Sequence, residues 1–230
     1  MGILSTFISE LFGKSLPRKQ HVREHRRHEI DLPPAKLLVI ADLHCTIYEE
    51  LRKIRKIIEQ SSPDCILFLG DIYREDICDI MKAADGIPCY YVLGNHDSRH
   101  QNEGIPGLRD LDGRTAVING IRISGVSGAA KYKEGDFCMR TEEEMSDVLS
   151  GIGPTDILVS HEAPYHLLGS SRTHGGFQAI SDFLSEKKPQ VHLFGHYHYP
   201  EETWHEGTKE VCIYHCATVS TRPFTITNFE

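Results

Sequence analysis

Five apolar stretches of the sequence end in side chains that bind metal ions. The residues at these ends are carboxylates, imidazoles and one amide: Asp42, His44, Asp71, Asn95, His96, His161, His196 and His198. Each stretch has the composition of a buried strand, and the carboxyl ends of such strands meet at one edge of an α/β sheet, where ligands bind. We therefore expect these side chains to face one crevice.

The ligand types narrow the choice of metal. Neutral imidazoles, carboxylates and an amide suit first-row cations, so manganese, iron, zinc, cobalt and nickel are candidates, and manganese is favoured. The set contains no thiolate, which argues against a structural zinc site. So many ligands fit two divalent cations about 3.5–4 Å apart that share a carboxylate and a hydroxide. Such a pair lowers the pKa of a shared water towards neutrality.

No single residue of this set carries the prediction. A histidine after a strand is more often a polar residue with satisfied hydrogen bonds than a metal ligand, and aspartate after glycine is a common turn residue. The prediction depends on the repetition, because all five strand ends carry side chains of this kind.

The first half of the sequence has the pattern of a parallel α/β unit. The predicted elements, in order, are strand 37–41, helix 49–60, strand 65–69, helix 77–84 and strand 90–93. Strands and helices that alternate at this spacing predict right-handed parallel connections. Gly94 lets the backbone leave the third strand sharply, so we expect Asn95 and His96 at the edge of the sheet.

The second half predicts more strand than helix. Asn119-Gly120, between two short apolar runs, is a strong hairpin signal, and Thr141 starts a capping box for a short helix. The remaining predicted elements are a binding loop at 98–112, strand 156–160, helix 177–187, strand 191–194 and antiparallel strands over 203–224, turned at Glu206-Gly207.

Composition favours one soluble domain with an N-terminal extension. The 230 residues are 40% hydrophobic, enough for a sizeable core, and the formal net charge of −8 argues against a broad surface for duplex nucleic acid. Seven cysteines without a CxxC pair indicate reduced thiols and a cytosolic location. We find neither a bilayer-spanning run nor a secretory signal.

Residues 1–31 are predicted to form an amphipathic helix and a basic arm ahead of the domain at 32–230. The helix, at 3–12, is expected to pack on the domain or on a second copy as a homodimer contact. Docking on a membrane surface is the alternative, because Met1-Gly2 and Thr6 match an N-myristoylation pattern and basic residues follow.

The strand ends also carry a family resemblance. Asp42-x-His44, Gly70-Asp71, Gly94-Asn95-His96-Asp97, His161 and Gly195-His196-x-His198 resemble, in order, the five sequence blocks of the calcineurin-like metallophosphoesterases. The resemblance covers residues 36 to about 200. It implies an α/β fold of two β-sheets flanked by helices, in four αββα layers.

The resemblance also implies a role for each residue. One metal would be held by Asp42, His44 and His198, and the other by Asn95, His161 and His196. Asp71 would bridge the two. His96 would be a catalytic histidine that protonates the departing oxygen without binding metal, and Asp97 would orient it.

The motif details favour a phosphodiester as the substrate. Gly70-Asp71-Ile72-Tyr73-Arg74 lacks the longer signature of the protein Ser/Thr phosphatases, and Asp97 stands where they have glutamate. The sequence is more similar to the small phosphodiesterase-type branch of the family. A phosphomonoesterase and a nuclease are the alternatives among enzymes. A binding scaffold without catalysis is the alternative from another class, although such scaffolds lose ligands or the catalytic histidine and this chain has all of them.

Several further residues have weaker patterns. Arg74 and His100 are candidate contacts for a small phosphoester substrate, as are His166 and His174, although all four also suit solvent-exposed positions. Cys45 is expected near the metals. Cys212, His215 and Cys216 suggest zinc only weakly, since alternation along a strand explains them.

Overall fold

A computed structural model describes residues 29–44, 48–168 and 175–229. The predicted N-terminal helix, most of the basic arm, Cys45 and His174 lie outside these residues. The helices are α1 (Tyr48–Ser61), α2 (Arg74–Ala83), α3 (Glu142–Ser150), α4 (Tyr165–Leu168) and α5 (Gln178–Lys187). In the described part of the chain, none of these is long and apolar enough to cross a membrane.

Two sheets of six strands form the centre of the molecule. The first sheet has the order β14 (Phe224–Phe229), β13 (His215–Thr221), β1 (Lys36–Ala41), β2 (Cys65–Phe68), β3 (Cys89–Tyr91) and β4 (Leu108–Asp110). The second has the order β11 (Glu201–His205), β12 (Thr208–Cys212), β10 (Val191–Phe194), β9 (Ile157–Ser160), β6 (Ile121–Val126) and β5 (Arg114–Ile118). A small pair joins β7 (Ala129–Ala130) to β8 (Met139–Arg140).

Alternation along β1 explains how the layers stack. Leu37 and Val39 belong to the core between the two sheets, whereas Leu38 and Ile40 pack in the core beneath α1 and α2. A third core joins the second sheet to α3 and α5. Because both faces of β1 are covered, its sequence is continuously apolar. The predicted α/β fold of two sheets flanked by helices is confirmed.

The predicted antiparallel tail at 203–224 is only partly correct. β11 and β12 pair antiparallel across the turn at Glu206-Gly207, as predicted. β12, however, runs parallel to β10, and the chain then crosses to the first sheet, where β13 pairs antiparallel with β1. The tail therefore ties the two sheets together. The loop predicted at 98–112 also contains an edge strand, β4.

Candidate metal centre

The five polar strand ends meet at one edge of the two sheets. β1, β2 and β3 of the first sheet lead into Asp42, Asp71 and Asn95, while β9 and β10 of the second lead into His161 and His196. The sheets pack face to face through a shared core, so their parallel strands deliver these side chains to one place. The predicted crevice is present.

Three residues from opposite ends of the chain form the first group. The Nε2 atoms of His44 and His198 are 3.2 Å apart, and Asp42 Oδ1 lies 3.9 Å from His44 Nε2 and 3.6 Å from His198 Nε2. One ligand atom from each residue falls within 4.8 Å of the others. These are the three residues predicted to share one metal.

The second group is more deeply buried. His161 Nε2 lies 3.0 Å from Asn95 Oδ1, 3.2 Å from His196 Nδ1 and 3.4 Å from Asp71 Oδ2. The Nδ1 atom of His161 contacts the Leu69 carbonyl oxygen at 2.8 Å, which turns Nε2 towards the other ligands. These are the residues predicted for the other metal.

Asp71 lies between the two groups. Its Oδ2 atom is 3.6 Å from His44 Nε2 and 3.4 Å from His161 Nε2, so one oxygen faces an imidazole of each group. Its Oδ1 atom accepts a hydrogen bond from the backbone N–H of His96 at 2.8 Å, which fixes the carboxylate. The position suits a bridging ligand.

Two buried carboxylate oxygens fit a bound cation. Among the described residues, Asp42 Oδ1 and Asp71 Oδ2 are buried without a hydrogen-bond partner. The other oxygen of Asp42 accepts from the backbone N–H of His196 at 2.9 Å. A buried unpaired carboxylate oxygen is costly, and a divalent cation removes that cost. The donor set, carboxylates and imidazoles with one amide, therefore fits the cations expected from the sequence.

Electrostatics in the second group point in the same direction. Burial raises the pKa of the Asp71 carboxyl, but the charge of His161 and the hydrogen bond from the His96 backbone N–H outweigh burial and hold the pKa well below its usual range. Burial lowers the pKa of His161, and the Asp71 charge reverses this and raises it. A cation bound here would replace the proton on His161.

The backbone at four ligands has an unusual conformation. Asp42, Asp71, His196 and His198 all have positive φ angles, of 57°, 56°, 69° and 55°. Positive φ angles are uncommon for residues other than glycine, and strained residues collect at functional sites. The turn geometry aims these side chains into the crevice at the expense of backbone strain.

His96 lies on the exposed rim of the centre. Its ring stands edge-on to that of His44, with 4.8 Å between centroids. Both rings line a cavity of about 470 Å³, and Tyr73, Gln101 and His198 line it as well. A nitrogen of His96 also falls within 4.8 Å of ligand atoms of His44 and Asp71. The ring is therefore placed to contact a group bound at the cations, and its role as a proton donor stays a prediction.

Asp97 has partners other than the one predicted. Its Oδ2 atom accepts hydrogen bonds from the backbone N–H groups of Gly94 and Asp71, at 2.8 and 2.9 Å, and its Oδ1 atom accepts one from Gln101 at 2.9 Å. The predicted orientation of His96 by Asp97 is thus not found. The carboxylate is buried, which raises its pKa to about 6, and it instead ties together the turns after β2 and β3.

Arg74 and His100 have partners within the chain, and their role as substrate contacts stays a prediction. The Arg74 guanidinium donates to the backbone carbonyls of Gln101 and Glu103 and so braces the loop after His96. His100 is exposed and pairs with Glu103, with 2.7 Å between Nδ1 and Oε1. Both side chains therefore bind to residues of this loop. Arg74 reaches it from the start of α2. His166 likewise contacts Ser181 and Glu210.

Two residues near the metal ligands were missed by sequence reasoning. The Asn95 amide donates to the Tyr132 hydroxyl at 3.0 Å, and His196 Nε2 lies 3.6 Å from a carboxylate oxygen of buried Glu162. Glu162 follows His161 directly, and this adjacency was an available signal. Tyr132 is 37 positions from Asn95, and no local pattern connects them.

Comparisons with known proteins agree with this fold. The family model for calcineurin-like phosphoesterases matches residues 35–200. A phosphopantetheinyl hydrolase from Mycobacterium tuberculosis is 14% identical, with a TM-score of 0.54 over 78% of this chain and 89% of that one. An archaeal phosphodiesterase is 9% identical, with a TM-score of 0.51 over 84% and 97%. At such low identity these structures are evidence for the fold alone. A search of curated proteins finds no match.

Proposed function

The chain belongs to the calcineurin-like phosphoesterase family, and from this premise we propose that it hydrolyses a phosphodiester at a pair of divalent cations. Family membership supports a hydrolase that acts on phosphoesters. The finer proposal depends above all on one observation, the position of Asp71 Oδ2 between His44 and His161, unpaired and buried. A single cation would not need ligands on both sides of this oxygen.

The two groups of side chains indicate which residues would hold each cation in this proposal. Asp42, His44 and His198 would hold one cation, Asn95, His161 and His196 the other, and Asp71 both. When bound, such a pair supplies Lewis acidity, which lowers the pKa of water and neutralises phosphate charge. We favour manganese among the first-row cations.

His96 supplies the proton in this proposal. Its ring borders the open cavity beside His44, where the departing ester oxygen of a bound substrate would emerge. A histidine at this position can donate its proton to that oxygen as the bond breaks. The exposed rim leaves the proton in contact with solvent, so the ring can be protonated again after each turnover.

The choice of a diester rests on the similarity to the phosphodiesterase-type branch and not on the fold. One structural neighbour is named as a phosphodiesterase, which is consistent with this choice but describes that protein. Within the described residues, all the predicted ligands and His96 are present, which disfavours a catalytically silent scaffold. We propose a cytosolic location because the six cysteines that the structure describes are all free.

A substrate panel tests the proposal. The full chain is assayed with bis-p-nitrophenyl phosphate, p-nitrophenyl phosphate and nucleotides, each with manganese and with chelator. We expect turnover that requires the cation, and a higher kcat/KM for the diester. Preference for the monoester would favour the phosphomonoesterase alternative, and preference for an oligonucleotide the nuclease. Failure to hydrolyse any of these esters would refute the proposal and favour the scaffold.

A further inference from the structure

The side chain of Asn95 can face the second group in two ways. Its oxygen and nitrogen are nearly equal in size, but only the oxygen can bind a cation. In the structure Oδ1 lies 3.0 Å from His161 Nε2, and Nδ2 donates to the Tyr132 hydroxyl at 3.0 Å. The contact at the nitrogen end therefore helps to hold the amide with its oxygen towards the second group.

We propose that Tyr132 is a positioning residue that holds the Asn95 amide with its oxygen towards the cation shared with His161 and His196. This inference rests on the proposed function, because it assumes a second cation at that group. Tyr132 acts through Asn95 and does not itself bind the metal.

The need for such a residue follows from burial. Asn95 is 2% exposed, so its amide hydrogens have little access to solvent and require a protein acceptor. The Tyr132 oxygen is that acceptor. If the amide rotated, Nδ2 would face His161 and Oδ1 would face the hydroxyl. A cation accepts only the oxygen and so selects this orientation, and the hydroxyl, which accepts from Nδ2, holds the opposite end of the amide in it.

The main chain places Tyr132 for this contact. The Gly128 N–H donates to the Leu93 carbonyl at 2.7 Å, which fixes the segment beside the end of β3. The Lys131 N–H donates to the Arg140 carbonyl at 2.9 Å. Tyr132 follows directly, so its ring reaches back over the turn that carries Asn95.

The exposure of Tyr132 argues against a packing role. Its side chain is 42% exposed, and Lys133 lies over its outer ring face at 5.3 Å. A ring placed only to fill the core would be buried and would not require a hydroxyl. Here the hydroxyl is the part of the side chain that reaches a buried group.

Cation titration of the chelator-treated full chain tests the inference without any substrate. Tyr132→Phe removes the acceptor and keeps the ring. In manganese titrations of this variant, we expect the cation at Asn95, His161 and His196 to bind 10–100-fold more weakly. This is the usual effect of losing a residue that orients a metal ligand. The site at Asp42, His44 and His198 should change by less than about twofold.

Tyr165→Phe is the matched control. Tyr165 is 40% exposed and lies on α4, and it loses the same atom in the variant. Both cation affinities should stay within about twofold of those of the unmodified chain. Unchanged affinities in Tyr132→Phe, or an equal loss at both sites, would overturn the inference.

A second variant separates amide orientation from a general loss of structure. In Asn95→Ala there is no amide left to hold, so a residue that acts only through this amide has no further effect. Adding Tyr132→Phe to this background should change the affinity of the second cation by less than about twofold. The same large loss in both backgrounds would mean that Tyr132 acts through the fold and not through the amide.

These measurements also distinguish this inference from the proposed function. A chain that binds two cations and hydrolyses no ester would refute the function, while the titrations would still decide the role of Tyr132. A chain that binds a single cation, with an affinity that Asn95→Ala leaves unchanged, would overturn the inference itself.

Discussion

Gly94 packs directly against the carboxylate of Asp71. A Cβ atom at Gly94 would lie 2.1 Å from Asp71 Oδ1 and 2.7 Å from Cε1 of His161. Real contacts are never so short, and neither neighbour can move without leaving the metal centre. The glycine therefore allows β3 to approach the ligands of both groups, in addition to letting the chain turn.

Gly94→Ala should disrupt the centre. The added methyl group must displace Asp71 or His161, so we expect loss of cation binding and at least a hundredfold loss of activity. Manganese content after dialysis measures the first effect, and steady-state kinetics the second. Gly153→Ala is the control, because no atom lies within 4 Å of a Cβ at Gly153. A Gly94→Ala variant with full cation content would show that the ligands tolerate the shift.

Asp71→Asn should weaken both cations at once. The substitution keeps the shape of the side chain but removes the charge that faces His44 and His161. Asp42→Asn provides the comparison, since Asp42 Oδ1 faces the imidazoles of His44 and His198, which belong to one group alone. We expect two weakened binding events in the first variant and one in the second, by calorimetric titration with manganese. A single weakened event in Asp71→Asn would contradict the bridging position.

His96→Ala should keep both cations and lose activity. If His96 protonates the departing oxygen, its removal lowers kcat by about 10²–10⁴-fold. The loss should be greatest for a diester with an alkyl leaving group and smaller for bis-p-nitrophenyl phosphate, because nitrophenolate departs without a proton. Equal losses on the two substrates, or full turnover on the alkyl ester, would contradict the assigned role. Loss of a cation would instead identify His96 as a ligand.

The contrast between ligands and supporting residues shows what sequence patterns can predict. The meeting of the candidate ligands could be predicted because each lies within a few residues of the end of an apolar strand, and parallel strands bring their ends together. Asp97 is also local in sequence, yet its partners are backbone N–H groups of two different turns, which only the folded chain brings together. Tyr132 lies in a loop and contacts Asn95, 37 positions earlier in the chain. Patterns along the chain thus predict positions on strands but not contacts between loops.

The tail shows a second limit. Alternation predicted strands over 203–224 and the turn at Glu206-Gly207, but period-two alternation does not indicate which sheet a strand joins. β12 and β13 are two residues apart and belong to different sheets. The crossing depends on the long-range pairing of β13 with β1, which local sequence does not contain.

Glu210 is a buried carboxyl outside the metal centre. It lies on β12 beside His192 of β10, and its Oε1 atom is 2.8 Å from His166 Nε2. Among the described residues, its Oε2 atom has no hydrogen-bond partner. Burial raises the pKa of Glu210 to about 7. Burial also lowers the pKa of His166 to about 4 and that of His192 to about 3, so neither imidazole carries a compensating charge near neutral pH.

Glu210→Gln should therefore stabilise the protein at alkaline pH. Because the folded pKa of about 7 exceeds the ordinary value of 4.5, the folded state binds the proton more tightly, and stability falls as pH rises from about 4.5 through 7. Glutamine keeps the contact with His166 and never ionises. We expect its free energy of unfolding at pH 8 to be higher by on the order of 1–3 kcal/mol, and the difference to vanish near pH 4.5. Denaturant unfolding at both pH values measures this, with exposed Glu201→Gln on β11 as the control. A difference independent of pH would mean that folding does not raise the pKa of Glu210.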